Sequence, residues 1–382
     1  MATLTGLSLA VLFYVYVGYP LLLAVLVRVR GPRPVRQGAQ VPSVSLVISA
    51  HNEARVIRRK LENTAQLDFP RDRLEVVVVS DASTDGTDEI AAEFAARHGV
   101  VVVRQPERMG KTVGLNRTVP HLRGEIVVFS DANAMYEPNA LRMLVRNFAD
   151  PDVGCVTGEA RYVEGGRTAA DTGERAYWDY EIRLKRLETA IGSMVGGDGA
   201  IYAIRVHLWQ PLPATAINDF LNPLQIVHAG WRAVYEPDAI CYEDTAGTVG
   251  REYQRRVRIV SRSWRAVFHV PGVLNPFRTG WFAVSVCSHK LLRWLSGVFL
   301  ATACGGAASM AVAMSGPWLL NPWVWLAAAG LVASVRPGRR AAALAYYFSV
   351  IQLASVVGVA KGTFGRVSGT WSTSRAASRG GL

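Results

Sequence analysis

Hydrophobic and polar positions along the chain fall into three zones. Residues 4–27 form an uncharged apolar run of about 24 positions, long enough to cross the hydrocarbon core of a bilayer. From residue 44 the apolar runs shorten. Residues 44–49, 74–79, 100–103 and 125–130 are β-rich, as expected of strands buried on both faces. Between and after them lie residues 53–67, 87–98, 111–119 and 139–148, which read as helices. This alternation predicts an α/β domain built on a mainly parallel sheet with helices on both faces. Residues 153–160 and 233–235 are predicted as later strands, and 174–190 as a strongly amphipathic charged helix. Past residue 265 the chain turns apolar again. Residues 281–288 suit a short interfacial helix, 291–314 and 318–335 are spanning candidates, and 341–360 is a third apolar stretch. No internal repeat is visible.

The pattern divides the chain into a membrane helix at 1–30, a linker at 31–41 and an α/β domain at 42–265. An interfacial segment follows at 266–290, then membrane or interfacial helices at 291–360 and a basic tail at 361–382. Arg28, Arg30, Arg33 and Arg36 follow the first apolar run, whereas a cleaved signal peptide carries its positive charge in front. The run therefore reads as a retained membrane helix, with the basic cluster and the α/β domain on the cytoplasmic side. Three further spans would carry Lys361, Arg366, Arg375 and Arg379 to the other side, against the positive-inside rule. Residues 341–360 are accordingly expected to lie in the interface or to re-enter.

Bulk composition adds two constraints. The net charge of +12 with 50% hydrophobic residues and a mean hydropathy of +0.16 calls for anionic partners. The basic residues crowd beside apolar segments, which favours membrane lipids and polyphosphate over nucleic acid. Cys155, Cys241, Cys287 and Cys304 are scattered without paired spacing, so neither a zinc site nor a disulfide framework is expected.

The candidate chemistry is acidic. Asp81 and Asp131 end two of the predicted parallel strands, and Asp219 follows in a later loop. Ligands of open α/β sheets bind beyond the carboxyl ends of the strands, so these carboxylates can face one crevice. A carboxylate at the position of Asp81 suits ribose hydroxyls or a base edge, while Thr84 and Asp85 suit a helix cap. Asp131 followed by Asn133 suits Mg²⁺ or Mn²⁺, which keep few protein ligands when phosphates supply the rest; an Asx-capped turn is the alternative.

These elements occur together and in order: Val47-Ile48-Ser49-Ala50-His51-Asn52-Glu53, Ser80-Asp81-Ala82-Ser83-Thr84-Asp85-Gly86-Thr87, Gly110-Lys111-Thr112-Val113-Gly114-Leu115-Asn116, Ser130-Asp131-Ala132-Asn133 and Asn218-Asp219. Over residues 42–265 the set resembles the membrane-bound family 2 glycosyltransferases, whose catalytic domain has the Rossmann-like GT-A fold. Ser288-His289-Lys290-Leu291-Leu292-Arg293-Trp294 and Trp371-Ser372-Thr373-Ser374-Arg375 are similar to the poly-N-acetylglucosamine, hyaluronan and cellulose synthase branch. The resemblance implies that Asn52 and Glu53 line a nucleotide pocket, Asp81 contacts uridine and Lys111 lies near the nucleotide or its diphosphate. It implies Asp131, with Asn133, as the place of Mg²⁺ or Mn²⁺, and Asp219 as the base on the acceptor hydroxyl. Arg255 and Arg258, in the family's QxxRW region, fall on one helix face and suit the leaving diphosphate; a basic membrane-surface helix is the alternative. Asp198 and Gly199 match the acceptor-side segment Gly196-Gly197-Asp198-Gly199, whose glycines are expected to allow close backbone approach to a ligand; Asp198 is either an acceptor contact or a turn cap. Trp371 and Arg375 are expected at a gate. His51, His207 and His228 are expected to cap or pack.

Three departures from the family matter. Asn133 stands for the second Asp of DxD, and Asn218 for the Glu often found before the base. Ile259 stands for the Trp of QxxRW, which removes a platform for a growing chain. The expected function is therefore an inverting glycosyltransferase that moves a sugar from a UDP-sugar to a lipid-linked or growing glycan at the cytoplasmic membrane face. A processive polysaccharide synthase with export is the alternative, and any accessory membrane subunit is left open. A nucleotidyltransferase would not call for Asp219 followed by an arginine-rich helix, and a membrane scaffold would leave the ordered acidic residues unexplained.

Overall fold

The computed structural model describes residues 1–163, 169–244, 249–315 and 336–370. The strands are β1 (Val44–Ala50), β2 (Leu74–Ser80), β3 (Val101–Arg104), β4 (Ile126–Asp131), β5 (Met135–Tyr136), β6 (Val153–Val163), β7 (Tyr202–Arg205) and β8 (Arg232–Asp244). They form one mixed sheet in the order β3-β2-β1-β4-β7-β6-β8-β5. The first four positions, 3-2-1-4, are parallel throughout and repeat the half-sheet of dinucleotide-binding folds. β7 runs antiparallel to β4 and β6, and β8 is parallel to β6, so only β5 and β7 oppose the common direction.

β1 shows why the sheet sits at the centre. Its Leu46 and Ile48 join one apolar cluster and Val47 joins the cluster on the opposite face. Burying each such side chain contributes about 1.5–3 kcal/mol, and helices must cover both faces. Among the described residues the longer helices are α1 (Ala2–Arg30), α2 (Ala54–Ala65), α3 (Thr87–His98), α4 (Lys111–Thr118), α5 (Ala140–Val145), α6 (Ala169–Ile191), α7 (Asn218–His228), α8 (Val249–His269), α9 (Ser296–Ser315) and α10 (Arg336–Phe364).

Two strands run further than predicted, β6 to Val163 and β8 to Asp244. β8 continues past Tyr235 because the pairing jumps from Thr157↔Tyr235 to Glu159↔Ile240, which leaves Glu236-Pro237-Asp238 out of the ladder with β6. Glu236 is buried there and its charge is met by Arg146 at 2.9 Å. The predicted interfacial helix 281–288 divides into an α-turn at Trp281–Ser285 and a π-helical stretch at Val286–Leu292. A second π-helical stretch interrupts α1 at Tyr14–Gly18.

Among the described residues three helices are long and apolar enough to cross a membrane: Ala2–Arg30, Ser296–Ala313 and Ala345–Phe364. The last overlaps the stretch expected to lie in the interface. Its length and composition allow it to cross, and its C-terminal half packs along α8: a Cβ on Gly358 would lie 2.7 Å from Val260, and one on Gly362 would lie 3.1 Å from Trp264. The predicted span 318–335 lies outside the described residues.

Candidate active site

The carboxyl ends of β1, β2 and β4 open onto a cavity of about 460 Å³, within the usual range for small-molecule sites. Two loops at its floor are laced together. Asn52, at φ 53°, accepts the Thr84 N–H on its Oδ1 at 2.8 Å, while its own N–H donates to Ser83. Asp85 accepts from Thr87 N–H at 3.2 Å and so caps α3. His51 donates from Nδ1 to the Asp81 carbonyl at 2.6 Å and faces the cavity. Glu53 lines the cavity; Asn52 is held by the turn instead.

Asp81 is buried and well occupied. Its Oδ1 accepts from Gln105 Nε2 (2.7 Å), Met109 N–H (2.8 Å) and Gly110 N–H (3.0 Å). It thereby fixes the loop that leads into α4 and presents Lys111. Gly110 has φ 94°, and a Cβ there would lie 2.6 Å from the Gly369 carbonyl, so a side chain would be strained on both counts. The chain just before the expected gate thus passes against the Gly110 loop, and Arg262 donates to the carbonyls of Ser368 and Thr370. Trp371 and Arg375 themselves lie outside the described residues.

Asp131 ends β4 and accepts Lys111 Nζ on Oδ1 at 2.6 Å. Burial alone would lower the Lys111 ammonium pKa, but Asp131 and then Asp219 outweigh it and raise it. Asn133 donates to Glu243 Oε1 at 2.8 Å. Lys60, fully buried, pins the same loop by donating to the Ala134 carbonyl, with Nζ 3.8 Å from the centre of the Tyr136 ring; burial lowers its pKa to about 7.

Asp219 is the second residue of α7, and the turn at residues 196–199 is wrapped around it. Gly197 N–H donates to the Asp219 carbonyl at 2.6 Å. A Cβ on Gly199 would lie 3.3 Å from Asp219 Oδ2. The glycines expected to allow a ligand's approach therefore allow the approach of Asp219. Asp198 faces the cavity and also caps the turn, accepting from Ala200 N–H at 3.2 Å. Burial raises the Asp219 pKa to about 6; Lys111 opposes the rise, and Asp198 and Asp131 add to it. Burial, then Asp131 and Asp198, raise Glu243 to about 7.

Arg255 and Arg258 of α8 line the same cavity, as do Arg251, Arg256 and Arg262. Glu252 meets Arg255 at 3.5 Å and Arg256 at 3.1 Å. Burial and the neighbouring Arg255 lower the Arg258 pKa. The result is a cavity with an arginine-rich wall, a lysine and mutually repelling carboxylates. Such a site suits a polyanion brought in with a cation. Asp131 already faces the ammonium of Lys111, and a divalent ion at this carboxylate would relieve the repulsion felt by Glu243 and Asp219. Among the described residues no three His, Cys, Asp or Glu side chains converge on one point. Asp131, with Asn133 beside it, would hold Mg²⁺ or Mn²⁺ only together with ligand phosphates.

Glu243 was missed by the sequence reading, although the strand-end rule that selected Asp81 and Asp131 also applies to it. The predicted strand stopped at Tyr235, before the Pro237 interruption. Of the histidines expected to cap or pack, His207 lies 5.6 Å from the Trp231 ring, and His228 packs against Gly272.

Residues 42–262 match the sequence profile of the family described as Glycosyltransferase like family 2. The poly-beta-1,6-N-acetyl-D-glucosamine synthase of Staphylococcus aureus is 24% identical over 226 residues, 57% of this chain and 54% of that protein. The beta-monoglucosyldiacylglycerol synthase of a Nostoc species is 30% identical over 157 residues, 40% of this chain and 34% of that protein. The matches span from about a third to just over half of the relatives' lengths. The mannosyltransferase PcManGT from Pyrobaculum calidifontis, solved with GDP-Man and Mn²⁺, superposes with a TM-score of 0.71 at 25% identity, covering 94% of this chain and 99% of that one. With the family profile covering more than half of its length and a GT-A-like sheet beneath its cavity, the chain belongs to the family 2 glycosyltransferases.

Proposed function

We propose that the chain is an inverting transferase that moves a sugar from a UDP-sugar to a hydroxyl of a lipid-linked or growing glycan at the cytoplasmic membrane face. The observation that carries this reading is Asp219. It is a carboxylate with a pKa raised to about 6, in one cavity with Lys111 and an arginine-rich wall. A base in that range is ionised at neutral pH yet still takes a proton readily.

Asp219 removes the acceptor hydroxyl proton as the acceptor oxygen bonds to the anomeric carbon. The bond from that carbon to the diphosphate breaks, and the electron pair leaves with the phosphate. Lys111, Arg255 and Arg258 stabilise the charge that develops there. Asp131 and Asn133 are the residues that would hold Mg²⁺ or Mn²⁺, which supplies further neutralisation of the diphosphate. Asn52, Glu53 and Asp81 shape the nucleoside side, Asp81 chiefly by fixing the loop before Lys111. Asp198 and Gly199 shape the acceptor side. Trp371 and Arg375 are the residues proposed for gating.

The GDP-mannose named for the solved neighbour supports a second reading of the donor base. A panel of UDP-sugars and GDP-mannose, read as nucleotide release with Mg²⁺ or Mn²⁺, separates the two. The expected result is release from one donor that EDTA abolishes. Release from none, or release indifferent to EDTA, contradicts the assignment. The synthase relative supports the processive alternative; mass spectrometry distinguishes a single addition from a ladder of products.

A further inference from the structure

The acceptor-side turn is anchored outside the sheet. Val195, which leads into it, donates its N–H to Glu188 Oε2 at 3.0 Å. Glu188 lies on α6 and is fully buried. Its other oxygen accepts from Tyr19 OH of α1 at 2.8 Å and faces His289 Nδ1 at 2.8 Å. The second ring nitrogen lies 3.0 Å from Glu181 Oε2 and 3.0 Å from Lys290 Nζ. Glu181 also accepts Lys290 at 3.3 Å and Arg293 at 2.5 Å. Burial would raise the Glu181 carboxyl, but Lys290, Arg293 and His289 outweigh it and hold the group well below the usual carboxylate range.

Glu181 and Glu188 are two helical turns apart and share a face of α6. His289 sits in the π-helical stretch Val286–Leu292, opposite the π-helical stretch of α1. The two are joined directly by Tyr14 OH and Ser288 Oγ at 2.8 Å. Tyr180 of α6 donates its hydroxyl to the Val15 carbonyl of α1 at 3.1 Å. π-Helical turns recur at functional sites, and here both turn polar groups toward one buried network. Taking such charges out of water is at best offset by their mutual attraction, so the network is poor evidence of a purely stabilising device. It ends on the backbone of the turn that touches Asp219.

We propose that His289 and Glu188 are positioning residues for the acceptor side of transfer, locking Val195, and through it the 196–199 turn against Asp219, to the N-terminal membrane helix. Positioning in this sense presupposes Asp219 as the base, and the two ideas fail differently.

The test uses full-length protein in lipid nanodiscs, with His289→Gln, His289→Ala, Glu188→Gln, Tyr19→Phe and Asp219→Asn. Nucleotide binding is titrated with UDP and with GDP in the presence of Mn²⁺. Turnover is read as nucleotide release from UDP-N-acetylglucosamine and GDP-mannose, with sugar transfer measured beside hydrolysis by water. Displacing a reacting group by about 1 Å costs about 100-fold in rate. His289→Ala and Glu188→Gln are therefore expected to lower transfer about 100-fold while nucleotide affinity stays within about twofold. His289→Gln, which keeps one donor toward Glu188, is expected to recover part of the loss. Tyr19→Phe is expected to lower transfer several-fold, with hydrolysis unchanged. Unchanged transfer in Glu188→Gln and Tyr19→Phe overturns the proposal, as does a parallel loss of transfer, hydrolysis and nucleotide binding. These two variants decide the matter if the His289 variants do not fold. Retained transfer in Asp219→Asn overturns the assignment of the base instead.

Discussion

Replacing Asp219 with Asn removes a charge that the fold holds against its own preference. The raised pKa means that the native state keeps the proton more tightly than the unfolded chain does. The resulting penalty on stability is absent below the ordinary value of 3.8, grows as pH rises from there, and is complete above about 6. A shift of about two units corresponds to about 3 kcal/mol at 1.36 kcal/mol per unit. Asp219 lines the open cavity and is only partly covered. Solvent therefore screens some of this, leaving about 1–3 kcal/mol as the expected gain for Asp219→Asn at pH 7.5. For a domain of this size that is about 2–4 °C in Tm per kcal/mol. The assay is thermal unfolding of wild type and variant in the same nanodiscs at pH 7.5 and near pH 4, at one scan rate. The gain should appear at the higher pH and vanish at the lower. An equal gain at both values, or a variant less stable at pH 7.5, refutes a carboxylate held ionised at a cost.

Three further outcomes follow from the geometry. Asp131→Ala should weaken Mn²⁺-supported nucleotide binding at least tenfold by calorimetry, while binding without metal changes little; equal loss in both conditions would contradict a metal role. In the pH profile of kcat/KM, which reports the free enzyme, the base form of Asp219 predicts an acid limb near pH 6, falling tenfold per unit below it; a flat profile down to pH 5 contradicts that role. Gly110→Ala places a side chain at φ 94° and a Cβ 2.6 Å from the Gly369 carbonyl, so a loss of about 1–3 kcal/mol and weaker nucleotide binding are expected, checked by Tm and titration.

Much of the fold was legible because its signals are local. Apolar runs ending in Ser80-Asp81 and Ser130-Asp131 announced parallel strands and the crevice beyond them, and the ordered motifs pointed to the family. Pro237 hid the second half of β8, because a proline within an apolar run ordinarily ends a strand; Glu243 was lost with it. Glycines 197 and 199 signalled a close approach, but the partner, Asp219, is 20 or more residues away and invisible to spacing. The buried network is harder still. His289 meets Glu188 and Glu181 across 101 and 108 residues, and only the packing of α6 against the 286–292 stretch brings them together. The sequence marked residues 288–294 by family likeness alone, without the reason that a histidine and a lysine stand there.

The most direct test of the account is the turnover of Asp219→Asn measured beside its affinity for UDP and GDP with Mn²⁺. If Asp219 is the base, nucleotide affinity stays within a few-fold of wild type while kcat for sugar transfer falls at least about 100-fold, in line with the loss of a general base. Transfer at a rate near wild type, with the nucleotide still bound, would contradict it.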